Sequence, residues 1–120
     1  MARILLVDDD KGALATTRRA LEMDGHTIAA CEDGADALAA LRSGEPYDAL
    51  VTDMQLPGLD GLALATQAHT LNPALRIVMI SGHASALEDA MKRAIPNARA
   101  LAKPFSIEQI RSAVRASLAG

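Results

Sequence analysis

The chain has 120 residues, half of them hydrophobic, and a formal net charge of −3. This length suits one domain around one core, and the weak negative charge argues against direct binding to nucleic acid, which requires a basic surface. With one tyrosine, one phenylalanine and no tryptophan, stacking on nucleobases or on a flavin is also disfavoured.

The sequence also indicates a cellular compartment. Cys31 is the single cysteine, so it forms no disulfide within the chain and fits a reducing environment. No apolar stretch approaches the roughly 20 residues that span a bilayer, and the first residues lack the pattern of a signal peptide. We therefore expect a cytoplasmic protein without a membrane partner.

Short apolar segments alternate with helical patterns along the whole chain. The segments are too short for helices and mostly uninterrupted by polar residues, which is typical of strands buried on both faces. They predict five strands, at Ile4–Val7, His26–Ala30, Ala49–Thr52, Arg76–Ile80 and Ala98–Leu101.

The first three helices are predicted from their capping residues. Asp10, Asp33 and Asp60 each precede a helical pattern and can accept hydrogen bonds from the N–H groups of its first turn. Gly25 follows the first helix, at a position where a left-handed residue is favoured.

The last two helices are predicted from different signals. The fourth, around Leu87 to Ala94, has an alanine-rich pattern that Pro96 terminates. Ser106 and Gln109 form a capping box for the fifth helix. The apolar residues expected to face the core from this helix are Ile107, Ile110, Val114 and Leu118.

Regular alternation of strands and helices predicts a parallel sheet with right-handed crossovers and helices on both faces. The expected fold is α/β and flavodoxin-like, a (βα)5 sandwich whose five parallel strands lie in the order 2-1-3-4-5. Because no linker or repeat interrupts the chain, one domain is expected over residues 1–120.

Charged and hydroxyl residues follow the predicted strands and would meet at one edge of such a sheet. Asp8 and Asp9 follow the first strand, and Asp53 the third. Ser81 follows the fourth strand and Lys103 the fifth. Open α/β sheets bind ligands at this carboxyl edge. Three neighbouring carboxylates repel one another unless a cation is present, and their oxygen ligands favour Mg²⁺.

The same residues suit phosphoryl chemistry. Lys103 and Ser81 supply an ammonium and a hydroxyl for an oxyanion at the centre, and an aspartate can itself be the nucleophile that forms an acyl phosphate. Asp53 is the candidate acceptor, because the proline- and glycine-containing loop after it can rearrange.

Together these motifs resemble the receiver domains of two-component response regulators. They are Asp8-Asp9, Thr52-Asp53-Met54-Gln55-Leu56-Pro57-Gly58-Leu59-Asp60-Gly61, Ser81 and Lys103-Pro104-Phe105, in the family's order and over nearly the whole chain. The resemblance implies that Asp53 accepts a phosphoryl group from a phosphohistidine on a histidine kinase or a histidine phosphotransfer protein.

The resemblance also implies individual roles. Asp9, Asp53 and the backbone carbonyl of Gln55 would bind Mg²⁺ directly, with Asp8 acting largely through water. Lys103 would pair with the phosphoryl oxygens, and Ser81 would swing toward them. That movement would change the surface of the fourth helix, fifth strand and fifth helix, and so signal to a downstream target protein. Such a domain is a regulatory switch and not an enzyme.

Three positions bear on how this switch would work. Receivers usually carry tyrosine or phenylalanine three residues before the lysine, where this chain has Ala100, so no aromatic ring can rotate there. Gln55 and His83, two residues past Asp53 and Ser81, lie where receivers tune the access of water to the acyl phosphate. His83 also fits an ordinary exposed loop histidine.

Two other functions stay open. A receiver can dock partners independently of phosphorylation, which the acidic pocket disfavours and Ala100 allows. A phosphatase of the haloacid dehalogenase type also uses an aspartyl nucleophile, but Gly12 stands where its motif has threonine or valine. The sequence does not decide between a stand-alone receiver and a segment of a larger regulator or hybrid kinase.

Overall fold

The computed structural model, which describes residues 1–92 and 94–119, has the predicted alternation of strands and helices. The elements are β1 (Arg3–Val7), α1 (Lys11–Glu22), β2 (Thr27–Cys31), α2 (Gly34–Arg42), β3 (Ala49–Asp53), α3 (Gly61–Leu71), β4 (Arg76–Ser81), α4 (Ala84–Met91), β5 (Ala98–Ala102) and α5 (Ile107–Ala119). All strands are parallel and lie in the order β2-β1-β3-β4-β5. The predicted flavodoxin-like fold is confirmed.

Helices cover both faces of the sheet because its central strands are apolar on both sides. Leu5 and Leu50 lie in the core under α2, α3 and α4. Ile4 and Val51, their neighbours along the same strands, lie in the core under α1 and α5. Successive strand residues point to opposite faces, so a strand buried on both sides requires an uninterrupted apolar run. In the part of the chain that the structure describes, no helix has the length and apolarity to cross a membrane.

Side-chain caps fix the starts of several helices. The carboxylates of Asp10, Asp33 and Asp60 accept backbone N–H groups at 2.9, 2.8 and 2.8 Å. At the start of α5, Ser106 N–H donates to Gln109 Oε1 at 2.7 Å and Gln109 N–H donates to Ser106 Oγ at 3.1 Å. These predicted caps, including the capping box, are confirmed, and they set where the loops of the sheet edge end.

Two predictions about the last helices are wrong in detail. α4 lies about one turn nearer the N-terminus than predicted, because it begins directly after His83, whose side chain makes no capping hydrogen bond and so gives no signal in the sequence. Ile107 is 47% exposed. It is the first residue of α5, and Ile110 and Val114 form the stripe that packs on the sheet.

An ion pair joins α5 to the turn after α1. Arg111 donates from Nη2 to Asp24 Oδ1 at 2.7 Å and from Nε to Oδ2 at 3.2 Å, and both side chains are less than one-fifth exposed. A second cation, Arg115, lies 3.6 Å from the same carboxylate. The hydrogen bond from Arg111 lowers the pKa of Asp24 below its ordinary value, so this pair favours the folded state when the carboxyl is ionised.

Substitution Asp24→Asn should lower the stability of the fold in a pH-dependent way. The folded pKa lies below the unfolded value of about 3.9. The contribution of the charge is therefore complete above that value, and it is lost as the pH falls through the folded pKa. Urea unfolding should show a lower midpoint for Asp24→Asn at pH 7 and a difference that shrinks progressively as the pH falls below about 3.9.

The matched control is Asp89→Asn. Its carboxylate pairs with Lys92 at 3.7 Å in a fully solvated setting, with both side chains more than 70% exposed, and such pairs contribute little. A pH-independent loss in Asp24→Asn, or an equal loss in Asp89→Asn, would contradict the assignment.

Candidate functional site

The ends of the central strands bring the predicted site residues to one edge of the sheet. Asp53 and Ser81 are the last residues of β3 and β4. Each strand is therefore one residue longer than predicted, because the sequence placed both residues in the following loops. β1 and β3 are hydrogen-bonded neighbours with Val7 opposite Thr52, so Asp8, which follows Val7, lies beside Asp53. The parallel register therefore sets the spacing of the acidic residues.

Three carboxylates converge at this edge. One ligand oxygen from each of Asp8, Asp9 and Asp53 lies within 4.8 Å of the other two. Asp8 and Asp53 are buried, whereas Asp9 is exposed. All three line a solvent-open cavity of about 830 Å³. An all-oxygen donor set with space for water ligands fits the coordination preference of Mg²⁺, so the residues present suit this metal.

Asp53 is held by two further contacts. Lys103 Nζ lies 2.7 Å from Asp53 Oδ2, and the backbone N–H of Gln55 donates to Asp53 Oδ1 at 3.1 Å. The lysine side chain is 44% exposed, and the aspartate side chain is 6% exposed. The lysine thus approaches from the solvent side and brings one positive charge to a cluster of three negative ones.

Burial and the neighbouring carboxylates both act on the ionisation of Asp8. Burial raises the pKa of Asp8 above its ordinary value, and the charges of Asp53 and Asp9 act in the same direction. The N–H of Asp10, which donates to Asp8 Oδ1 at 2.9 Å, and the charge of Lys103 oppose the rise. A divalent cation among these oxygens would favour the ionised form of Asp8.

Ser81 lies near this network without joining it. Its Oγ accepts the N–H of His83 at 3.0 Å, and its carbonyl accepts the N–H of Lys103 at 3.0 Å. Among the described residues, the hydroxyl makes no hydrogen bond to Asp53. Ser81 lines a second cavity, of about 800 Å³, together with Asp53, His83 and Lys103.

The three positions singled out as modulating lie around these cavities. Gln55 is exposed and lines both of them. His83 is exposed at the start of α4 and lines the second. Ala100 is half-buried in β5, and its N–H donates to Glu88 Oε2 at 3.3 Å, which ties α4 to the edge strand. The placement is compatible with the predicted roles, which stay predictions.

Two features of the site were not predicted. The Lys103–Pro104 peptide bond is cis. At Gly61, a Cβ would overlap the carbonyl oxygen of Asp53 and lie 2.7 Å from Met54 Cα. The N–H of Gly61 also donates to the carbonyl of Met54 at 2.9 Å. The sequence marked Gly61 as part of a loop, but the need for glycine comes from backbone packed directly against the acceptor residue.

Comparison with known proteins identifies the family. Residues 4–115 match the model of the response regulator receiver domain. The chain belongs to this family. As a receiver of two-component systems it is a regulatory domain, of a kind that works with histidine kinases and downstream effectors.

The receiver is similar to proteins of two lengths. It is 35% identical to the response regulator MprA of Mycobacterium ulcerans over 97% of this chain and 50% of that protein, so it spans about half the length of that relative. It is 34% identical to the response regulator receiver protein CpdR of Brucella abortus over 92% of this chain and 91% of that protein.

Solved structures agree with the fold. A response regulator receiver protein from Sinorhizobium medicae superposes with a TM-score of 0.89 and 33% identity, covering 99% of this chain and 95% of that one.

Substitution Gly61→Ala should destabilise the receiver by about 1–3 kcal/mol, the usual cost of forcing an added methyl group into packed structure. The clash falls on the backbone of Asp53 and Met54, so the carboxylate of Asp53 should also be displaced. Urea unfolding measures the first effect, and Mg²⁺ titration measures the second.

Gly12→Ala is the control. Gly12 lies within α1, and a Cβ there meets only Asp10 Oδ1 at an ordinary 3.4 Å, so alanine should be neutral or slightly stabilising. Equal stability of the two variants would disprove the close approach at Gly61.

Proposed function

We propose that the receiver is a phosphorylation-activated switch in which Asp53 accepts a phosphoryl group from a phosphohistidine on a histidine kinase or histidine phosphotransfer protein. The observation that carries this proposal is the setting of Asp53. It is buried beside two other carboxylates, with Lys103 Nζ 2.7 Å from one of its oxygens. The cavity in front of it is open to solvent, which leaves room for a donor protein.

The transfer is a displacement at phosphorus. A carboxylate oxygen of Asp53 attacks, the bond between phosphorus and the imidazole nitrogen of the donor breaks, and its electron pair returns to the imidazole. The product is an acyl phosphate on Asp53. Lys103 is close enough to move from the Asp53 carboxylate to the phosphoryl oxygens and neutralise their charge.

Asp8, Asp9, Asp53 and the backbone carbonyl of Gln55 would hold Mg²⁺. When bound, the cation supplies positive charge that offsets the repulsion among the carboxylates and the incoming phosphoryl group. The buried Asp8 also receives the N–H of Asp10, which suits an acidic residue that acts through water, whereas the exposed Asp9 is accessible for direct coordination.

The output is proposed to start at Ser81. Its hydroxyl, which accepts the N–H of His83, would turn to donate to a phosphoryl oxygen, and the loop before α4 would follow. Since Ala100 offers no aromatic ring, the change would reach the face of α4, β5 and α5 through this loop and through contacts such as Glu88 to Ala100. A downstream target protein would bind this face. Gln55 and His83 would tune the hydrolysis of the acyl phosphate.

The remaining assignments are proposed on the same basis. Residues 1–120 would form one receiver domain, which works in a bacterial cytoplasm and makes no direct contact with nucleic acid or membrane. Its chemistry would be limited to its own phosphorylation and dephosphorylation.

One alternative has a specific observation in its favour. Ala100 removes the usual aromatic switch, and this would suit a receiver that docks partners without phosphorylation. A haloacid dehalogenase-type phosphatase has weaker support, because Gly12 replaces a residue of its motif.

Incubation with acetyl phosphate and Mg²⁺ should add one phosphoryl group to the wild-type chain and none to Asp53→Ala. Intact mass measured in acid, where acyl phosphates persist, reads this out directly. Asp36→Ala, which removes an exposed aspartate on α2, is the matched control and should be labelled like the wild type.

The other outcomes separate the alternatives. Labelling that survives Asp53→Ala would place the nucleophile elsewhere. An unlabelled wild-type chain would favour the phosphorylation-independent docking module. Steady turnover of p-nitrophenyl phosphate would favour the phosphatase.

The metal assignment predicts an order of effects. Asp8→Ala, which removes a residue acting through water, should weaken Mg²⁺ binding by about tenfold, and Asp9→Ala should weaken it further. Because the chain has no tryptophan, the titration is best followed by amide NMR shifts. Equal losses in the two variants would contradict the proposed division of roles.

A further inference from the structure

A third cavity, separate from the two beside Asp53, lies at the opposite end of the sheet. It has a volume of about 440 Å³ and opens around the amino ends of β4 and β5, beside the last turns of α4 and α5. The polar residues that line it are Arg76, Glu88, Lys92, Asn97, Arg99 and Ser117. None of them has a part in the proposed phosphoryl transfer.

The charges of this cavity are unbalanced. Three of its residues are cations, Arg76, Lys92 and Arg99, and Glu88 is the one carboxylate. Among the ion pairs of residues 1–92 and 94–119, none involves either arginine. Within those ranges, the ion-pair partner of Lys92 is the exposed Asp89, at 3.7 Å. A formal excess of two positive charges therefore faces the cavity.

The two arginines share a face of the sheet. Arg99 lies opposite Val78 in the register of β4 and β5, and Arg76 precedes Val78 by two residues, so all three side chains start on the same side. Val78 belongs to the core under α1 and α5. Both guanidinium groups thus begin on the side where Ser117 of α5 lies.

Ser117 provides an independent sign of a missing ligand. Its side chain is 2% exposed, and its Oγ has no hydrogen-bond partner within the described part of the chain. Buried hydroxyls are normally paired, and a helical serine often bonds the carbonyl one turn earlier. Ser117 is thus a lining residue of a cationic cavity, and within the described residues the hydrogen-bonding capacity of its hydroxyl is unused.

We propose that this cavity binds a phosphate group, either as inorganic phosphate or as the phosphate of a small ester. Two guanidinium forks, an ammonium and a hydroxyl can donate to several oxygens of a tetrahedral dianion at once, whereas a carboxylate presents only two. The excess of two positive charges matches the charge of the dianion. The site is independent of Asp53, so it stands whether or not Asp53 is the phosphoacceptor.

The test is an amide NMR titration of the full chain with inorganic phosphate and, in parallel, with ribose 5-phosphate. Both titrations are carried out in buffer that contains EDTA and no Mg²⁺. We expect saturable shifts at Ala98, Arg99 and Ser117. Shifts with both ligands assign a general phosphate site, and a tighter fit for the ester assigns a metabolite site. Ser117→Ala and Arg99→Gln should each weaken binding at least threefold.

The variants separate binding from folding. Ser117→Ala removes an unpaired buried hydroxyl from a helix, so the variant should be as stable as the wild type, or more stable, while binding phosphate less well. Arg42→Gln, which removes an exposed arginine on α2, should bind like the wild type.

Two results would overturn the proposal. Shifts that do not saturate, or that are unchanged in Ser117→Ala and Arg99→Gln, would mean an adventitious ion only. Binding of a glutamate-rich peptide at these residues with no response to either phosphate ligand would make the cavity a contact for an acidic protein.

Discussion

The constraint on which the site depends is the crowding of negative charge at the carboxyl edge of the sheet. β1 and β3 are held side by side by apolar residues on both faces, so Asp8 and Asp53 cannot separate without disrupting the core. Their oxygens and that of Asp9 stay within 4.8 Å of one another. Lys103 offsets part of this repulsion, and the negative charge that remains makes the pocket suited to a cation.

Backbone hydrogen bonds join the loops at the carboxyl edge of the sheet to one another. The N–H of Lys103 bonds the carbonyl of Ser81, and the N–H of Met54 bonds the carbonyl of Ile80, so the loops after β3, β4 and β5 are joined by hydrogen bonds. In the proposed switch, these hydrogen bonds would transmit a change in the position of Asp53 to the start of α4. This transmission would not require an aromatic ring at position 100. This offers a physical route for signalling in a receiver that lacks the usual switch residue.

The two ends of the sheet carry opposite charge. The carboxyl edge presents Asp8 and Asp9 after β1 and Asp53 at the end of β3. The amino ends of β4 and β5 present Arg76 and Arg99. A core of aliphatic side chains separates the acidic and basic clusters. The charge of each cluster must therefore be balanced by groups at its own end of the sheet. At the acidic end the neighbours of Asp53 supply part of that balance, whereas at the basic end the arginines have no ion-pair partner in the described ranges.

The sequence by itself determined the fold and the edge of the sheet at which the candidate site residues lie. Uninterrupted apolar runs and aspartate caps are local signals, and parallel strands necessarily bring Asp8, Asp53 and Lys103 to one edge. Features without a local signal came only from the tertiary structure. α4 begins after a residue without a side-chain cap, and glycine is required at position 61 because a Cβ there would overlap the backbone of Asp53 and Met54. The unpaired hydroxyl of Ser117 likewise exists only because α5 packs against the ends of β4 and β5, since burial depends on what surrounds a residue and not on its neighbours in sequence.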